Sequence, residues 1–186
     1  MADASTPEVQ EVEAAPPPPE LFGFPFDDST GQAVVFVPAD QYLALAKRLV
    51  DDTFTMCSDL TAVDYLNIPN RRLPAHVLAA GITPERFELV VNLLSMQRRE
   101  RVRVRVQIPA DATTVASVFD LWPGSEAMER EVFDMFGITF DGHPDLSRIL
   151  MPEDWDGYPL RKDYEVGRIP VQFSPDVRPV SIRSNR

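Results

Sequence analysis

The chain has 186 residues, 44% of them hydrophobic, with a formal net charge of −11, enough for one domain with a real core plus tails. A sequence pI near 4.6 makes attraction to nucleic acid or to an anionic leaflet unfavourable, since both are polyanions. No run approaches the ~18–20 apolar residues a membrane-spanning helix needs, and the N-terminus is acidic where a signal peptide is basic, so the sequence predicts a cytoplasmic chain unless a partner holds it at a membrane.

Residues Met1 to Glu20 carry five acids, no base and the run Pro16 to Pro19. That composition has almost nothing to bury against its ordering entropy, and it predicts a disordered leader over 1–24. A first strand is expected in Gly31 to Val37 (GQAVVFV). Pro38-Ala39-Asp40 then opens a helix, with Tyr42, Leu43, Leu45, Ala46, Leu49 and Val50 at helical spacing and an end near Asp51 or Asp52.

From Thr53 to Leu66, β-branched and aromatic residues predict one strand, or two with an irregularity around Ser58-Asp59. Cys57 lies inside this run and is the sole cysteine. An intrachain disulfide is therefore impossible, and a four-thiolate iron–sulfur cluster cannot be held by this chain alone. With only His76 and His143 besides, a His/Cys zinc site is also disfavoured, and Cys57 reads as a plain core thiol.

Asn67 to Pro84 is expected to be a loop with at most a helical turn. Arg86 to Met96 is apolar at most positions, as a central strand would be, and Gln97 to Glu100 is a turn. Arg101 to Val106 alternates arginine with valine, so Val102, Val104 and Val106 share one face and Arg101, Arg103 and Arg105 the other. One face is core and the other is wet or meets acids; the acidic charge balance argues against reading the arginines as an RNA site.

Asp111 to Leu121 is expected to be helical, with Val115, Val118 and Phe119 apolar, and Pro123-Gly124 breaks it. A second helix runs from Ser125 to about Phe136 and ends at Gly137. On its wheel Met128, Val132, Phe133, Met135 and Phe136 form an apolar arc, and Glu129 falls inside that arc. A carboxylate there either snorkels to water or meets a base, and a partner protein sharing the arc could supply one. A last short strand is expected at Ile138 to Phe140. Beyond it, residues 142–186 hold six prolines and no sustained period, which predicts an extended C-terminal arm. The fold class expected is α+β: a mostly antiparallel sheet packed by helices on one side over 25–141.

The run from Glu129 to Tyr164, EREVFDMFGITFDGHPDLSRILMPEDWDGYPLRKDY, resembles the signature of the C subunit of proton-pumping NADH:quinone oxidoreductase, respiratory complex I. The matching elements are Glu129-Arg130-Glu131, Asp134, Gly137, Gly142-His143-Pro144, Leu146, Arg148-Ile149 and Pro159 to Tyr164. Glu165 stands where many members have proline, and the acidic leader lies outside the family core. The similarity is to the unfused, actinobacterial-like bacterial form.

The resemblance implies a structural subunit of the peripheral arm, on the cytoplasmic face of the membrane, bracing the quinone-binding D subunit beside the B and I subunits. It implies no cofactor in this chain, with FMN and iron–sulfur clusters carried elsewhere in the assembled complex, and no catalytic or metal residues here. It also implies a subunit interface formed by Glu129, Arg130, Glu131, Asp134, His143, Arg148, Trp155, Arg161, Lys162, Asp163 and Tyr164. Within 142–186, Trp155, Leu160 and the tyrosines would be anchors and Arg148, Arg161, Lys162 and Asp163 would set the register, with the arm bound to partners and free in the isolated chain. Two other readings compete. One is the equivalent subunit of a membrane-bound hydrogenase or of a deazaflavin- or ferredoxin-dependent quinone or phenazine oxidoreductase. The other is an independent enzyme with His143 as acid/base and Asp145, Glu153 or Asp163 as partners.

Overall fold

A computed structural model describes residues 19–68 and 70–165. Most of the expected leader (1–18) and the end of the expected arm (166–186) lie outside these residues. The described chain is α+β, built on a six-stranded sheet of order β1-β2-β3-β6-β5-β4. The strands are β1 (Glu20–Leu21), β2 (Phe24–Ser29), β3 (Gln32–Pro38), β4 (Met56–Asp64), β5 (Phe87–Ser95) and β6 (Glu100–Ile108). All neighbours pair antiparallel except β3 with β6.

The first two strands were not legible as such in the sequence. They are joined to each other and to β3 by two-residue loops, Phe22-Gly23 and Thr30-Gly31, in which all four residues have positive φ. Mirror-image turns of this kind match the twist of the flanking strands, so the paired residues Glu20 and Leu21 and Phe24 belong to the sheet although they fall inside the span 1–24.

Alternation sorts the two faces. Val35, Val37, Leu60, Ala62, Leu89, Val91, Leu93, Val102, Val104 and Val106 are buried in the main core. Over them pack α1 (Tyr42–Asp51), through Leu45, Ala46 and Leu49, and α3 (Glu126–Phe136), through Val132, Met135 and Phe136. The irregularity expected near Ser58-Asp59 is a β-bulge between Cys57 and Asp59. Cys57 is half-buried, and burial pushes its thiol up to about 11, which keeps it protonated and unreactive at neutral pH.

The opposite face is partly covered by the short α2 (Ala75–Ala79), whose Val77 joins Val34, Phe36, Leu73 and Ile82 in a second small cluster. The arginines of β6 lie on this face and are largely paired. Arg105 Nε donates to Glu88 at 2.7 Å, and Arg103 Nε donates to Asn92 Oδ1 at 3.0 Å. Glu88 itself is fully buried and also accepts from Arg71, from Gln107 and, at 3.3 Å, from the Tyr65 hydroxyl.

The helix expected over Asp111 to Leu121 is not formed. Instead Thr114–Ala116 is a strand, β7, parallel to β8 (Thr139–Asp141). Thr139 N–H donates to Thr113 O and Ser117 N–H to Asp141 O. The spacing of Val115 and Val118 imitates a helix because both reach the core, Val115 from the strand and Val118 from the turn after it. Their neighbours Thr113 and Thr114 are β-branched and favour the extended chain.

Helix α3 ends as expected. Gly137 has φ +69 and its N–H donates to Phe133 O at 2.8 Å, a left-handed cap that a Cβ disfavours. A Cβ at this position would also lie 2.4 Å from the Tyr158 ring. Gly137→Ala is therefore expected to destabilise the chain by about 2–4 kcal/mol through backbone strain and overpacking together. Urea denaturation reads the change, and a loss under ~0.5 kcal/mol would mean that Tyr158 is not held against the helix end.

Candidate functional site

Residues 142–165 contain no helix or strand, yet they do not hang free as an extended strap. They run along α3, and the helix holds them at successive levels.

At the first level is Glu129, fully buried. Its carboxylate accepts from Ser117 Oγ at 2.6 Å, from Val118 N–H at 2.9 Å and from Ser125 Oγ at 3.3 Å. It neither snorkels nor waits for a partner protein, because the turn after β7 supplies its donors. Ser125 stands just before the helix as expected, but its hydroxyl turns to Glu129 and makes no cap. Burial raises the Glu129 pKa, and the bonds from Ser117, Val118 and Ser125 offset that only in part.

His143 Nε2 lies 4.0 Å from Glu129 and its side chain is fully covered. Asp145 N–H donates to Nδ1 at 3.1 Å, and Nε2 sits 3.2 Å from the Glu126 carbonyl. These partners assign the neutral ring with its proton on Nε2. Both nitrogens are occupied by backbone, so the imidazole fixes the Gly-His-Pro turn onto the helix and presents nothing to a substrate.

One turn on, Arg130 donates to the Ser147 carbonyl at 3.1 Å, to Ser147 Oγ at 2.9 Å and to the Arg148 carbonyl at 3.2 Å. Next comes Asp134, also fully buried. Its Oδ2 accepts the consecutive N–H groups of Ile149, Leu150 and Met151 at 3.0, 2.7 and 2.8 Å, and its Oδ1 accepts from Arg148 at 2.6 Å. Burial alone would raise this carboxyl; the Met151 N–H, the Arg148 guanidinium and the other two amides together lower it below the usual carboxylate range. Arg148 also reaches the carbonyls of Trp155 and Gly157, at 3.1 and 3.0 Å.

At the C-terminal end the segment caps the helix. Leu160 N–H donates to Met135 O at 3.0 Å, and Arg161 reaches the carbonyls of Phe136 and Gly137, which have no intrahelical donors. Tyr158 lies under both Arg148 and Arg161, with guanidinium carbons 5.4 and 4.7 Å from its ring centre. Arg161 also stacks on Phe87. Beyond it, Lys162 N–H donates to Asp64 at 2.9 Å and Asp163 pairs with Arg86 at 2.8 Å. Arg86 in turn binds both oxygens of Asp64. Burial would raise Asp64, but Arg86 and the Lys162 and Leu66 amides lower it. Asp163 is lowered chiefly by Arg86.

Of the remaining expected residues, Trp155 is half-buried and its indole nitrogen has no hydrogen-bond partner among the described residues. Tyr164 packs on Gly157, its hydroxyl 3.5 Å from the Asp156 carbonyl. Glu131 is exposed. Glu129 and Asp134 cannot themselves touch a partner; they build the surface that could. The sequence reading missed Asp64, Arg86, Ser117 and Ser147. For Asp64 a signal existed, since the alternation Leu60, Ala62, Asp64 sets an acid on the core side of β4.

Among the described residues no group of three or more His, Cys, Asp or Glu is placed to hold a metal ion, and no helix is long and apolar enough to cross a membrane. The fold and this intrachain clamp define a class: an α+β domain whose distinctive polar motif serves to shape a terminal segment. The chain belongs to the family of the respiratory-chain NADH dehydrogenase 30 Kd subunit, whose model matches residues 35–169. It is 41% identical over 146 residues to the C subunit of NADH-quinone oxidoreductase from Saccharopolyspora erythraea, covering 77% of this chain but only 53% of that protein, so it spans about half the length of that relative. A solved trypsin-resistant fragment of Nqo5 is 33% identical and superposes with a TM-score of 0.57, over 67% of this chain and 90% of the fragment. A chain of the membrane-bound sulfane sulfur reductase, an archaeal respiratory membrane complex, is 25% identical with a TM-score of 0.58 over 72% of each.

Two measurements check the clamp. In the isolated chain, the amides of Ile149, Leu150 and Met151 are expected to exchange far more slowly than those of Glu153 and Asp154; uniformly fast exchange across 142–165 would restore the free strap. Asp134→Asn is expected to cost about 3 kcal/mol near neutral pH by removing the charge and unpairing either Arg148 or the three amides. Because the folded pKa of Asp134 is depressed, its contribution is present above the ordinary value of about 3.9 and is lost as pH falls through the folded value. The difference in melting temperature between wild type and variant should therefore shrink below about pH 4, and a pH-independent difference would mean the carboxylate charge is not what holds the turn.

Proposed function

We propose that this chain is a non-catalytic structural subunit of the peripheral arm of a proton-pumping NADH:quinone oxidoreductase, held at the cytoplasmic face of the membrane by the rest of the complex. In this proposal it braces the quinone-binding D subunit, with the B and I subunits as neighbours, and FMN and the iron–sulfur clusters belong to other chains. Oxidation of NADH by quinone, with proton translocation, is then an activity of the assembly. The observation that carries the proposal is the fate of the motif's chemistry: His143, Arg148, Arg161 and Asp163 are all spent on this chain's own backbone and acids. Groups bonded in this way support a recognition role for the segment over a reaction centre.

The likeness to a chain of the archaeal sulfane sulfur reductase favours one second reading, the equivalent subunit of a membrane-bound hydrogenase or of a deazaflavin- or ferredoxin-dependent quinone or phenazine oxidoreductase. Genes for NADH- and FMN-binding subunits beside this one would favour the first reading, and hydrogenase maturation genes the second.

Affinity purification of the tagged full-length chain from detergent-solubilised membranes is expected to bring down the D, B and I subunits together with NADH:quinone activity. The purified chain alone is expected to show none, and turnover by the isolated chain would overturn the proposal.

A further inference from the structure

Arg148 and Asp134 together close a small loop. Asp134 grips its start through the amides of residues 149–151, and Arg148 ties the carbonyls of Trp155 and Gly157 back to the same place. Met151 turns inward against the main core. Ile149 and Leu150 turn outward, 42% and 56% exposed, and Leu160, 44% exposed, hangs from the next helical carbonyl, that of Met135. Three large apolar side chains are thus exposed on backbone that is held to the last turn of α3.

The exposed charges around them are mainly acidic, Lys162 being the exposed base two residues from Leu160. Glu131, Glu153, Asp154 and Asp156 are exposed and their carboxylates have no partner among the described residues. The nearby guanidinium groups of Arg148 and Arg161 face inward to Asp134 and to backbone carbonyls.

The geometry points to a preformed docking knob: Ile149, Leu150 and Leu160 insert into an apolar depression bordered by Lys or Arg on another protein subunit of the complex. This rests on the structural-subunit reading above and adds the chemistry of the partner. Charge complementarity selects that occupant. Four exposed acids would be repelled by an anionic lipid surface, and a second copy of a chain of net charge −11 is a poor match for them. Burying the three apolar side chains gives the contact its centre, and the acids at the rim set its orientation and salt dependence.

The test uses the tagged full-length chain in cells that make the complex, with co-purifying subunits identified by mass spectrometry. Wild type and Met96→Ser, an exposed apolar change at the opposite end of the sheet, are expected to bring down the same subunits. Ile149→Ser/Leu150→Ser is expected to lose them at least tenfold while the isolated variant melts like wild type. Glu153→Lys/Asp154→Lys, two changes on the solvent side of the loop, is expected to lose them as well, and it decides the matter if the serine variant fails to fold. Co-purification of both variants at the wild-type level overturns the knob and leaves the structural-subunit reading standing. Failure of wild type to bring down any complex subunit overturns that reading instead. Dimers of the isolated chain that Ile149→Ser/Leu150→Ser dissolves would make a second copy the occupant and overturn the assignment.

Discussion

The carboxylate of Asp134 organises the loop from Arg148 to Gly157. A buried carboxylate stripped of water is unfavourable by several kcal/mol unless donors surround it. Here those donors come from a single irregular stretch, three successive amides and the Arg148 side chain. The requirement works in both directions. The helix needs the segment to satisfy its buried acid, and the segment has no other repeating structure in which its amides could be paired. Remove the acid and residues 149–151 have no reason to keep that turn, Arg148 no reason to stay inside it, and the loop to Gly157 no clasp.

Helix α3 carries a second fully buried acid five residues earlier, and the contrast explains what donors do. Glu129 receives two hydroxyls, one amide and an imidazole at 4.0 Å, and burial still dominates, so its pKa is raised. Asp134 receives three amides and a guanidinium, and its pKa is lowered. The first acid is anchored mainly by neutral groups from the β7 turn and joins β7, α3 and the Gly-His-Pro turn. The second is anchored by a full charge and joins the helix to the exposed loop. Their titrations act on stability with opposite signs: a raised folded pKa favours the fold at low pH, a depressed one favours it above the ordinary carboxylate range.

Much of the domain was legible because periodicity is set by burial. The alternation of Val102, Val104 and Val106 with arginines, the bulge at Ser58-Asp59 and the glycine stop at Gly137 each have one local cause. What was not legible depended on remote partners. The two turns before β3 need only a residue–glycine pair, too common a signal to outweigh the prolines and acids just upstream. Val115 and Val118 share a helical spacing by coincidence, because strand pairing with residues 139–141 is decided more than twenty positions away. The same limit hid the clamp. Glu129 could be seen to need a partner from its place on the wheel, but Ser117 and Val118 could not be named from spacing, and the segment after Gly142 looked unfoldable because the groups that fold it, on α3, β4 and β5, lie outside it.

An irregular segment held in this way suits an assembly better than a free strap would. Ordering a backbone residue is unfavourable by roughly 1–2 kcal/mol, and a strap of some twenty residues that ordered only on binding would subtract that from its contact energy. Here Asp134, Arg130, Arg161 and the Asp64–Arg86 pair impose the order within the chain, before any partner arrives. The charged residues that look like recognition elements in the sequence therefore act one step removed from recognition. In the proposed docking, the buried charges hold Ile149, Leu150 and Leu160 in place, and the contact itself is made by those side chains and the exposed acids around them.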